Sequence, residues 1–296
     1  MGTAILIGII SSQNSCSGSQ EIDLLPTRFI TCVRRPESAN AIRLKLPREA
    51  LDSAVSVYVN DNHAAVLEAD VVLLASQPHL YKPLLEESGT CIALKGKPII
   101  SVLAGVPSAE IEHHLRQVAN KESKDICDLD AFSVSRAMPN IASAVQALST
   151  VLEIYPRPQF KDMIATAHAI FSCVGTVFTA KPENFGICTT LNGSTPAFFA
   201  MVIDGLVDGA VALGLSHTEA TQMAATTMRG TADLIMSGKS RLDLRYEVAC
   251  PGGATIQGLE VLEEARTRAV WMRAMAAATS GQGSLVGGLK FSRKGI

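Results

Sequence analysis

The chain has 296 residues, of which 47% are hydrophobic and 18% are charged, and its formal net charge at pH 7 is -2. A net charge this small provides no field that would attract nucleic acid or anionic lipid, and the 5% aromatic content argues against a base-stacking surface. The length suits two domains with separate cores, and no apolar run is long enough to predict a transmembrane helix.

The opening stretch MGTAILIGIISSQNSCSGS (1–19) is apolar enough to raise the question of whether it is a targeting segment. No Lys or Arg precedes Arg28, so the basic region of a secretory signal is absent, and the apolar run 4–10 is too short to span a membrane. Leu6 stands where a myristoylation motif has Ser or Thr. A helix is the alternative interpretation of this run, and the polar stretch 11–20 is predicted to be a loop.

The first half of the chain alternates short apolar runs with helical patterns. The predicted strands are 28–33, 55–59, 70–76, 98–104 and 132–138. The predicted helices between them are 36–46, 62–69 and 107–118. Strands that are apolar almost throughout are typical of a sheet covered on both faces. The alternation predicts βαβ units in a doubly wound α/β fold with a parallel sheet.

The seven cysteines are scattered through the chain with no CxxC pair. An odd, dispersed set is typical of thiols in a reducing compartment, so we expect a cytoplasmic protein without a disulfide framework or zinc site. His113 and His114 are adjacent on a predicted helix, where neighbouring side chains point in different directions. They predict a solvated helix face, and no metal site is expected.

After about residue 181 the pattern becomes helical throughout. The predicted helices are 194–214, 216–237 and 254–280. The first has Pro196 near its start and Gly214 at its end, and its only charges are Asp204 and Asp208. A helix that is apolar nearly all round is buried, which in a small helical domain requires a partner chain, so we expect an obligate homodimer. The linker between the halves is predicted near 180–185.

The stretch EVACPGGATIQGLEVLEEA (247–265) carries the most chemical information. Its glycine pair predicts a tight turn that feeds a helix, and the N–H groups of the first helical turn would then face any ligand there. Such a terminus suits a carboxylate or phosphate, and Thr255 adds a hydroxyl. The alternative interpretation is an ordinary helix start with Thr255 as its cap.

This stretch resembles the signature of pyrroline-5-carboxylate reductases. Further similar segments occur in the family's order: SVLAGVPSAEIEHHL (101–115), SRAMPNIASAV (135–145), FSCVGTVF (171–178) and LNGSTPAFFAMVIDGLVDGAVALGL (191–215). The resemblance covers essentially the whole chain. It implies a Rossmann-type, NADP-binding parallel-sheet domain over 1–181 and an all-helical dimerisation and substrate-binding domain over 182–296.

One part of the family pattern is missing. Family members begin with a strand, the motif GxGxMG and a helix, and MGTAILIGIIS resembles only the end of that motif and the helix. Met1 and Gly2 would then be its last two positions and would contact the cofactor. Loss of the central first strand would leave two neighbouring strands without hydrogen-bonding partners. We favour a natural start upstream of Met1 over a chain that binds its cofactor poorly.

The end of the first predicted strand indicates which cofactor is used. Arg34 and Arg35 stand where a fold specific for NAD usually has an acidic residue, and arginines accommodate the 2′-phosphate of NADP. NADPH is therefore expected in preference to NADH, although two arginines at a strand end can also be simply solvated. The resemblance places Asn62 at the adenosine side. It further implies that the ribose and nicotinamide are lined by Ala75, Ser76, Gln77, Pro78, Val102, Leu103 and Ala104.

The resemblance implies reduction of 1-pyrroline-5-carboxylate to L-proline, the last step of proline biosynthesis. This cyclic imine protonates readily, so hydride transfer needs mainly orientation and a dry site rather than an acid and base pair. Thr255 is expected to pair with the imine nitrogen, and the backbone of Gly253, Ala254 and Thr255 to hold the carboxylate. Glu247 and Ser194 are implied to line the same pocket.

Two alternatives remain open from the sequence. The first is a reductase of a related cyclic imine in a specialised pathway, suggested by Gln77, by Cys250 and by the turn NGSTPA (192–197), which has Thr where the family has Gly. The second is a non-catalytic dimerising paralogue, supported only by the missing motif. The expected partners are a small imine and a second copy of the chain, in a homodimer or an assembly of dimers, with no nucleic acid and no membrane.

Overall fold

The structure is a computed structural model that describes residues 2–13, 25–122, 131–141, 148–154 and 161–283. The described residues form two compact units. Unit 1 comprises those within Met1–Gly193 and Gly281–Ile296, and unit 2 is Ser194–Ser280. Unit 1 is the predicted α/β domain and unit 2 is helical, so the predicted fold class is confirmed.

Unit 1 contains all the strands of the described residues. The strands are β1 (Phe29–Val33), β2 (Val55–Val59), β3 (Val72–Leu74), β4 (Pro98–Ser101), β5 (Ser133–Pro139), β6 (Leu148–Glu153) and β7 (Gly175–Ala180). The helices are α1 (Gly2–Gln13), α2 (Pro36–Arg43), α3 (Arg48–Ser53), α4 (Asn62–Glu68), α5 (Tyr81–Leu85), α6 (Thr90–Ala93), α7 (Ser108–Glu122), α8 (Lys161–Ser172) and α9 (Pro182–Thr189).

The strands form two sheets. Strands β1 and β2 pair in parallel, with Phe29 opposite Val55. The second sheet has the order β3-β4-β5-β6-β7 and is parallel except for the antiparallel pair β5 and β6. Strands β6 and β7 were not predicted from the sequence. Polar residues interrupt both strands, and β7 lies at a sheet edge with several exposed side chains, so neither is a continuous apolar run.

A cavity separates the two sheets of unit 1. It has a volume of about 490 Å³ and is lined by the whole of β1 and the whole of β3. Among the described residues β1 pairs only with β2, and β3 only with β4, so one edge of each strand has no partner strand. The expectation that two neighbouring strands lack a hydrogen-bonding partner therefore agrees with the observed sheets.

The opening apolar run is a core helix, as expected. Ile5 in α1 is completely buried, and Ile9 and Ile10 are also buried. A Cβ atom on Gly8 would lie 2.5 Å from a methyl carbon of Val174, so this glycine allows α1 to pack closely. Each fully buried aliphatic side chain stabilises the fold by about 1.5–3 kcal/mol. The expectation of a polar loop was wrong for 11–13, which are helical, and 14–20 lie outside the described residues.

The histidine pair does not form the predicted solvated face. His113 is exposed on α7, but His114 is buried and its Nε2 lies 3.3 Å from a carboxylate oxygen of Glu86. Adjacent helical residues face different ways, so one ring reaches solvent while the other packs inward.

Unit 2 is built from α10 (Thr195–Ala212), α11 (His217–Met236), α12 (Arg241–Val248), α13 (Ala254–Glu264) and α14 (Thr267–Gly283). Helix α10 ends just before Gly214, whose φ of 107° lies in the left-handed region, as the sequence indicated. The single helix predicted over 254–280 was wrong. Arg266 has a φ of 53°, which breaks the stretch into α13 and α14.

The predicted linker 180–185 is exposed at 181–184, as expected, but it is helical from Pro182 rather than a turn. It spans the end of β7 and the start of α9, where Phe185 is buried. Helix α9 continues through a π-helical turn, Thr190–Ser194, into α10. The stretch Pro182–Ala212 is thus the one helix of the described residues that is long and apolar enough to cross a membrane by length and composition alone. The sequence pattern predicted a helix only from 194, so the full length of this helix was not predicted.

Candidate active site

The predicted cofactor residues follow the carboxyl ends of parallel strands in unit 1. Arg34 and Arg35 follow β1, and Asn62 lies just beyond β2. The segments 75–78 and 102–104 follow β3 and β4. In open α/β sheets, ligands bind in the crevice outside the carboxyl ends of the strands. The structure therefore places these residues at the carboxyl ends of β1 to β4.

Arg34 and Arg35 are exposed and form no ion pair within the part of the chain that the structure describes. Arg35 is the N-cap of α2, with φ −125° and ψ 142°, and no side chain caps that helix. Two unpaired guanidinium groups therefore lie beside a helix N-terminus whose N–H groups lack a side-chain acceptor. This combination fits a phosphate group, because both features favour an anion.

The turn after β2 holds Asn62 in a defined orientation. Asp61 caps α4 by accepting a hydrogen bond of 3.0 Å from the backbone N–H of Ala64. The Asn62 amide donates to a carboxylate oxygen of Glu87 at 2.8 Å. Glu87 was not identified from the sequence, since it lies 25 residues further along the chain.

The ends of β3 and β4 are held together by short-range hydrogen bonds. The N–H of Val102 donates to the carbonyl of Leu74 at 3.0 Å, and the N–H of Leu103 donates to the buried Ser101 hydroxyl at 3.3 Å. Leu103 is only 1% exposed, so its side chain belongs to the core and only its backbone can line a cofactor site. Ala104 and Gln77 are exposed.

The start of α1 lies against the end of β3. A Cβ atom on Gly2 would be 3.0 Å from the Cβ of Ala75, so glycine allows this close approach. Met1 lies outside the described residues.

Burial raises the pKa of the Cys32 thiol, which lines the cavity between β1 and β3. The thiol therefore stays neutral at neutral pH and adds no negative charge near the strand ends.

The second group of predicted residues lies in unit 2 at the start of α13. Gly252 has a φ of 69°, and Gly253 is the N-cap, with φ −77° and ψ 171° and no side-chain cap. The interpretation of Thr255 as the cap is therefore wrong, since Thr255 is exposed within the first helical turn. The N–H of Gly253 already donates to the carbonyl of Cys250 at 3.0 Å. The N–H groups of Ala254 and Thr255 are the ones that can hold an anion.

Glu247 lies on α12 and has a partner that the sequence analysis did not identify. The Lys239 ammonium is 2.6 Å from a carboxylate oxygen of Glu247. A guanidinium nitrogen of Arg245 lies 3.0 Å from Glu263, which joins α12 to α13. Lys239 offsets the negative charge of Glu247, so the expected repulsion between this side chain and a substrate carboxylate is reduced.

Ser194 lies half-buried at the start of α10, as its N-cap. The preceding turn is anchored in unit 1 by Asn192, whose amide donates to the carbonyls of Met138 and Ser149, both at 2.8 Å. The role of Asn192 was also missed, because its two acceptors lie more than 40 residues away.

In a comparison with known proteins, each of the two parts of the chain matches a family model. Residues 182–285 match the family model described as pyrroline-5-carboxylate reductase dimerisation, and residues 1–105 match NADP oxidoreductase coenzyme F420-dependent. A Delta-1-pyrroline-5-carboxylate reductase of Curvularia clavata is 43% identical and covers 94% of this chain and 86% of its own. The chain belongs to the pyrroline-5-carboxylate reductase family. A second relative, from Lophium arboricola, is 40% identical over 94% of this chain and 88% of its own.

Solved structures of the pyrroline-5-carboxylate reductase family share this fold. The enzyme from Coxiella burnetii matches with a TM-score of 0.75 and 26% identity, over 95% of both chains. The Plasmodium falciparum protein, solved with NADP bound, matches with a TM-score of 0.73 at 20% identity over 96% of this chain and 94% of its own. The latter likeness concerns the fold alone.

The part of the chain that matches the family's dimerisation model carries many exposed apolar side chains. In α10 only Val207 is buried, whereas Phe199, Met201 and Leu206 are each more than half exposed. An exposed apolar surface of this kind marks an interaction site.

Proposed function

We propose that this chain reduces 1-pyrroline-5-carboxylate to L-proline with NADPH, the last step of proline biosynthesis. Membership in the pyrroline-5-carboxylate reductase family supports the reaction. The observation that carries the substrate assignment is the first turn of α13, where no side chain caps the N–H groups. An uncapped helix N-terminus preceded by two glycines accepts a small carboxylate closely.

In the proposed reaction a hydride adds to the imine carbon while the ring nitrogen keeps its proton. NADPH supplies that hydride when it is bound. The backbone N–H groups of Ala254 and Thr255 hold the substrate carboxylate, and the Thr255 hydroxyl accepts a hydrogen bond from the protonated ring nitrogen. Gly253 leaves space for the carboxylate, and Glu247 and Ser194 line the same pocket. These groups orient the imine and exclude water, which is most of what the step requires.

The preference for NADPH over NADH is part of the proposal. Arg34 and Arg35 support it, because both guanidinium groups are exposed at the end of β1 beside the uncapped start of α2. Charge-assisted hydrogen bonds of this kind recognise a 2′-phosphate that NADH lacks. The other residues of the proposed cofactor site are Met1, Gly2, Asn62, Ala75, Ser76, Gln77, Pro78 and the backbone of 102–104.

We also propose a homodimer in the cytoplasm. The match to the family's dimerisation model and the exposed apolar side chains of α10 support a second copy as the partner. The same surface makes Pro182–Ala212 an interface helix in this proposal rather than a membrane span. The scattered thiols support a reducing compartment.

The reaction is tested with the purified chain, NADPH and 1-pyrroline-5-carboxylate, by following NADPH oxidation and L-proline formation. Replacing Thr255 by Val removes a hydrogen bond to a charged group, a loss of about 1.5–3 kcal/mol, so kcat/KM should fall about tenfold to a hundredfold. Thr255→Ser is the matched control and should keep most of the activity. A parent chain that forms no proline would refute the proposed function.

A related cyclic imine is the second candidate substrate. The turn that contains Thr195 differs from the family pattern next to Ser194, which supports a pocket of altered shape. A panel of cyclic imines with and without a carboxylate would compare kcat/KM under the same conditions. Turnover of another imine at a higher kcat/KM than 1-pyrroline-5-carboxylate would replace the proposed substrate while leaving the reductase chemistry in place.

A further inference from the structure

A buried ion pair joins β5 and β6 in unit 1. A guanidinium nitrogen of Arg136 lies 3.6 Å from a carboxylate oxygen of Glu153, and the two side chains are only 13% and 3% exposed. The Arg136 guanidinium also stacks over the ring of Phe185 at 4.2 Å from its centre. Neither charged residue belongs to the site proposed above.

The two residues of the pair lie beside the two ends of the loop 102–107. At the start of the loop, Arg136 lies directly opposite Ser101, the last residue of β4, in the parallel pairing of β4 and β5. At the end of the loop, Ser108 begins α7 and donates a hydrogen bond of 3.1 Å from its hydroxyl to the Glu153 carboxylate. Ser135 donates to the backbone carbonyl of Glu153, also at 3.1 Å. Strand pairing with the Arg136 backbone therefore fixes the start of the loop, and the hydrogen bond from Ser108 to the Glu153 carboxylate fixes its end.

Fold stability alone does not explain a pair of this kind. Removing two charges from water costs so much that an apolar pair of similar volume is often equally or more stabilising. A buried ion pair does, however, fix the positions of the groups to which it hydrogen-bonds, because its geometry is specific.

We propose that Arg136 and Glu153 are positioning residues that set the conformation of the loop 102–107. This inference rests on the proposed function, in which the backbone of 102–104 lines the nicotinamide. A loop displaced by about 1 Å would misplace the hydride donor and slow the reaction up to about a hundredfold without altering the substrate site.

The test compares the parent with the double variant Arg136→Met/Glu153→Leu, which replaces the pair by apolar side chains of similar volume. Lys82→Met is the control, since Lys82 forms a more exposed ion pair, with Glu110 on α7, that involves neither Arg136 nor Glu153. Three quantities are measured: the thermal unfolding midpoint, amide hydrogen exchange over 102–108 in the absence of ligands, and kcat with KM for NADPH and for the imine. Arg136→Lys is a second variant that keeps the charge but loses the planar, stacked geometry.

In the double variant we expect an unchanged or higher unfolding midpoint, faster exchange over 102–108, and a kcat lowered about tenfold or more with KM for the imine unchanged. Arg136→Lys should lie between the parent and the double variant, and Lys82→Met should match the parent. Exchange and kcat at parent values in the double variant would overturn the inference. A uniform rise in amide hydrogen exchange across unit 1, together with a lower thermal unfolding midpoint, would also overturn the inference. That result would indicate that the pair has a purely structural role. If the parent itself proves inactive, the proposed function fails, and exchange over 102–108 still decides the positioning role.

Discussion

The backbone and the side chain of Arg35 have different structural roles. Its extended backbone starts α2, and Pro36 follows at the first helical position, where a missing N–H costs little. The side chain is left exposed at the end of β1, next to Arg34. A helix start at a strand end thus presents two cations without any cost in core packing.

The double substitution Arg34→Ala/Arg35→Ala tests the preference for NADPH. Loss of charge-assisted hydrogen bonds should cost about 1.5–3 kcal/mol of binding free energy, so the Kd for NADPH should rise about tenfold to a hundredfold. The Kd for NADH should change little. Fluorescence titration with both cofactors measures this, and Arg43→Ala, on the same helix, is the control. An equal loss for both cofactors would contradict the phosphate assignment.

Glu219 links the stability of α11 to pH. Its carboxylate accepts hydrogen bonds from the hydroxyl of Ser216 at 2.6 Å and from the backbone N–H of Ser216 at 3.4 Å. These bonds lower the pKa of Glu219 below its ordinary value of 4.5. The stabilisation is therefore present above pH 4.5 and is lost as the pH falls through the lower folded-state pKa.

Glu219→Gln should consequently lower the thermal unfolding midpoint at about pH 6 and have a much smaller effect at about pH 3. Parent and variant are compared by circular dichroism at each pH. Glu260→Gln, an exposed glutamate on α13, provides the control for removing a charge. A difference between parent and Glu219→Gln that does not shrink on acidification would argue against the hydrogen bonds between Ser216 and the Glu219 carboxylate as its cause.

At the level of elements, β1 and β3 each have one edge that no other described strand pairs with, and both strands line one cavity. Apolar side chains of α1 line the same cavity, including Ile5 and Leu6. Unpaired backbone groups of a parallel sheet are normally satisfied by a neighbouring strand. The space between β1 and β3 therefore suits one further parallel strand.

Fusing a five-residue apolar β-segment and a glycine turn ahead of residue 1 tests this property of the sheet. Each backbone hydrogen bond gained should contribute about 0.5–1.5 kcal/mol, so the thermal unfolding midpoint should rise by about 5 °C or more. A Gly-Ser segment of equal length is the control. We also expect tighter NADPH binding by the fusion, because the cavity lies between the strand ends that carry the cofactor residues. Equal midpoints for both fusions would contradict the expectation.

At the level of the whole molecule, α10 exposes apolar side chains that nothing covers in the single chain as described. In the proposed dimer, a second copy of the chain would bury them. Leu206 is 58% exposed there. Leu206→Arg would place a charge in the proposed dimer interface at a cost of about 3–5 kcal/mol, so the dimer dissociation constant should rise at least about a hundredfold. Analytical ultracentrifugation over a concentration series measures this change. Leu44→Arg, at an exposed position in unit 1, should leave the oligomeric state unchanged, and an unchanged state for Leu206→Arg would exclude this face from the interface.

The parts of the fold that depend on local sequence were predicted well. Strands β1 to β5, helices α2, α4 and α7, and the glycine turn before α13 follow from periodicity, apolar runs and glycine conformation. The short helices α3, α5 and α6 were not predicted. The same local logic indicated Arg34 and Arg35 at a strand end. The resemblance to a known family then supplied the substrate and the remaining site residues.

What the sequence by itself determined is the fold class, the strands β1 to β5, and the helix and strand ends that carry the chemistry. Only the tertiary structure decided that β6 runs antiparallel to β5, that Leu103 faces the core, and that Arg136 meets Glu153. It also paired Lys239 with Glu247. These features arise from strand pairing and side-chain contacts between elements brought together on folding. No local pattern encodes them, because register, burial and charge pairing depend on which elements become neighbours in space.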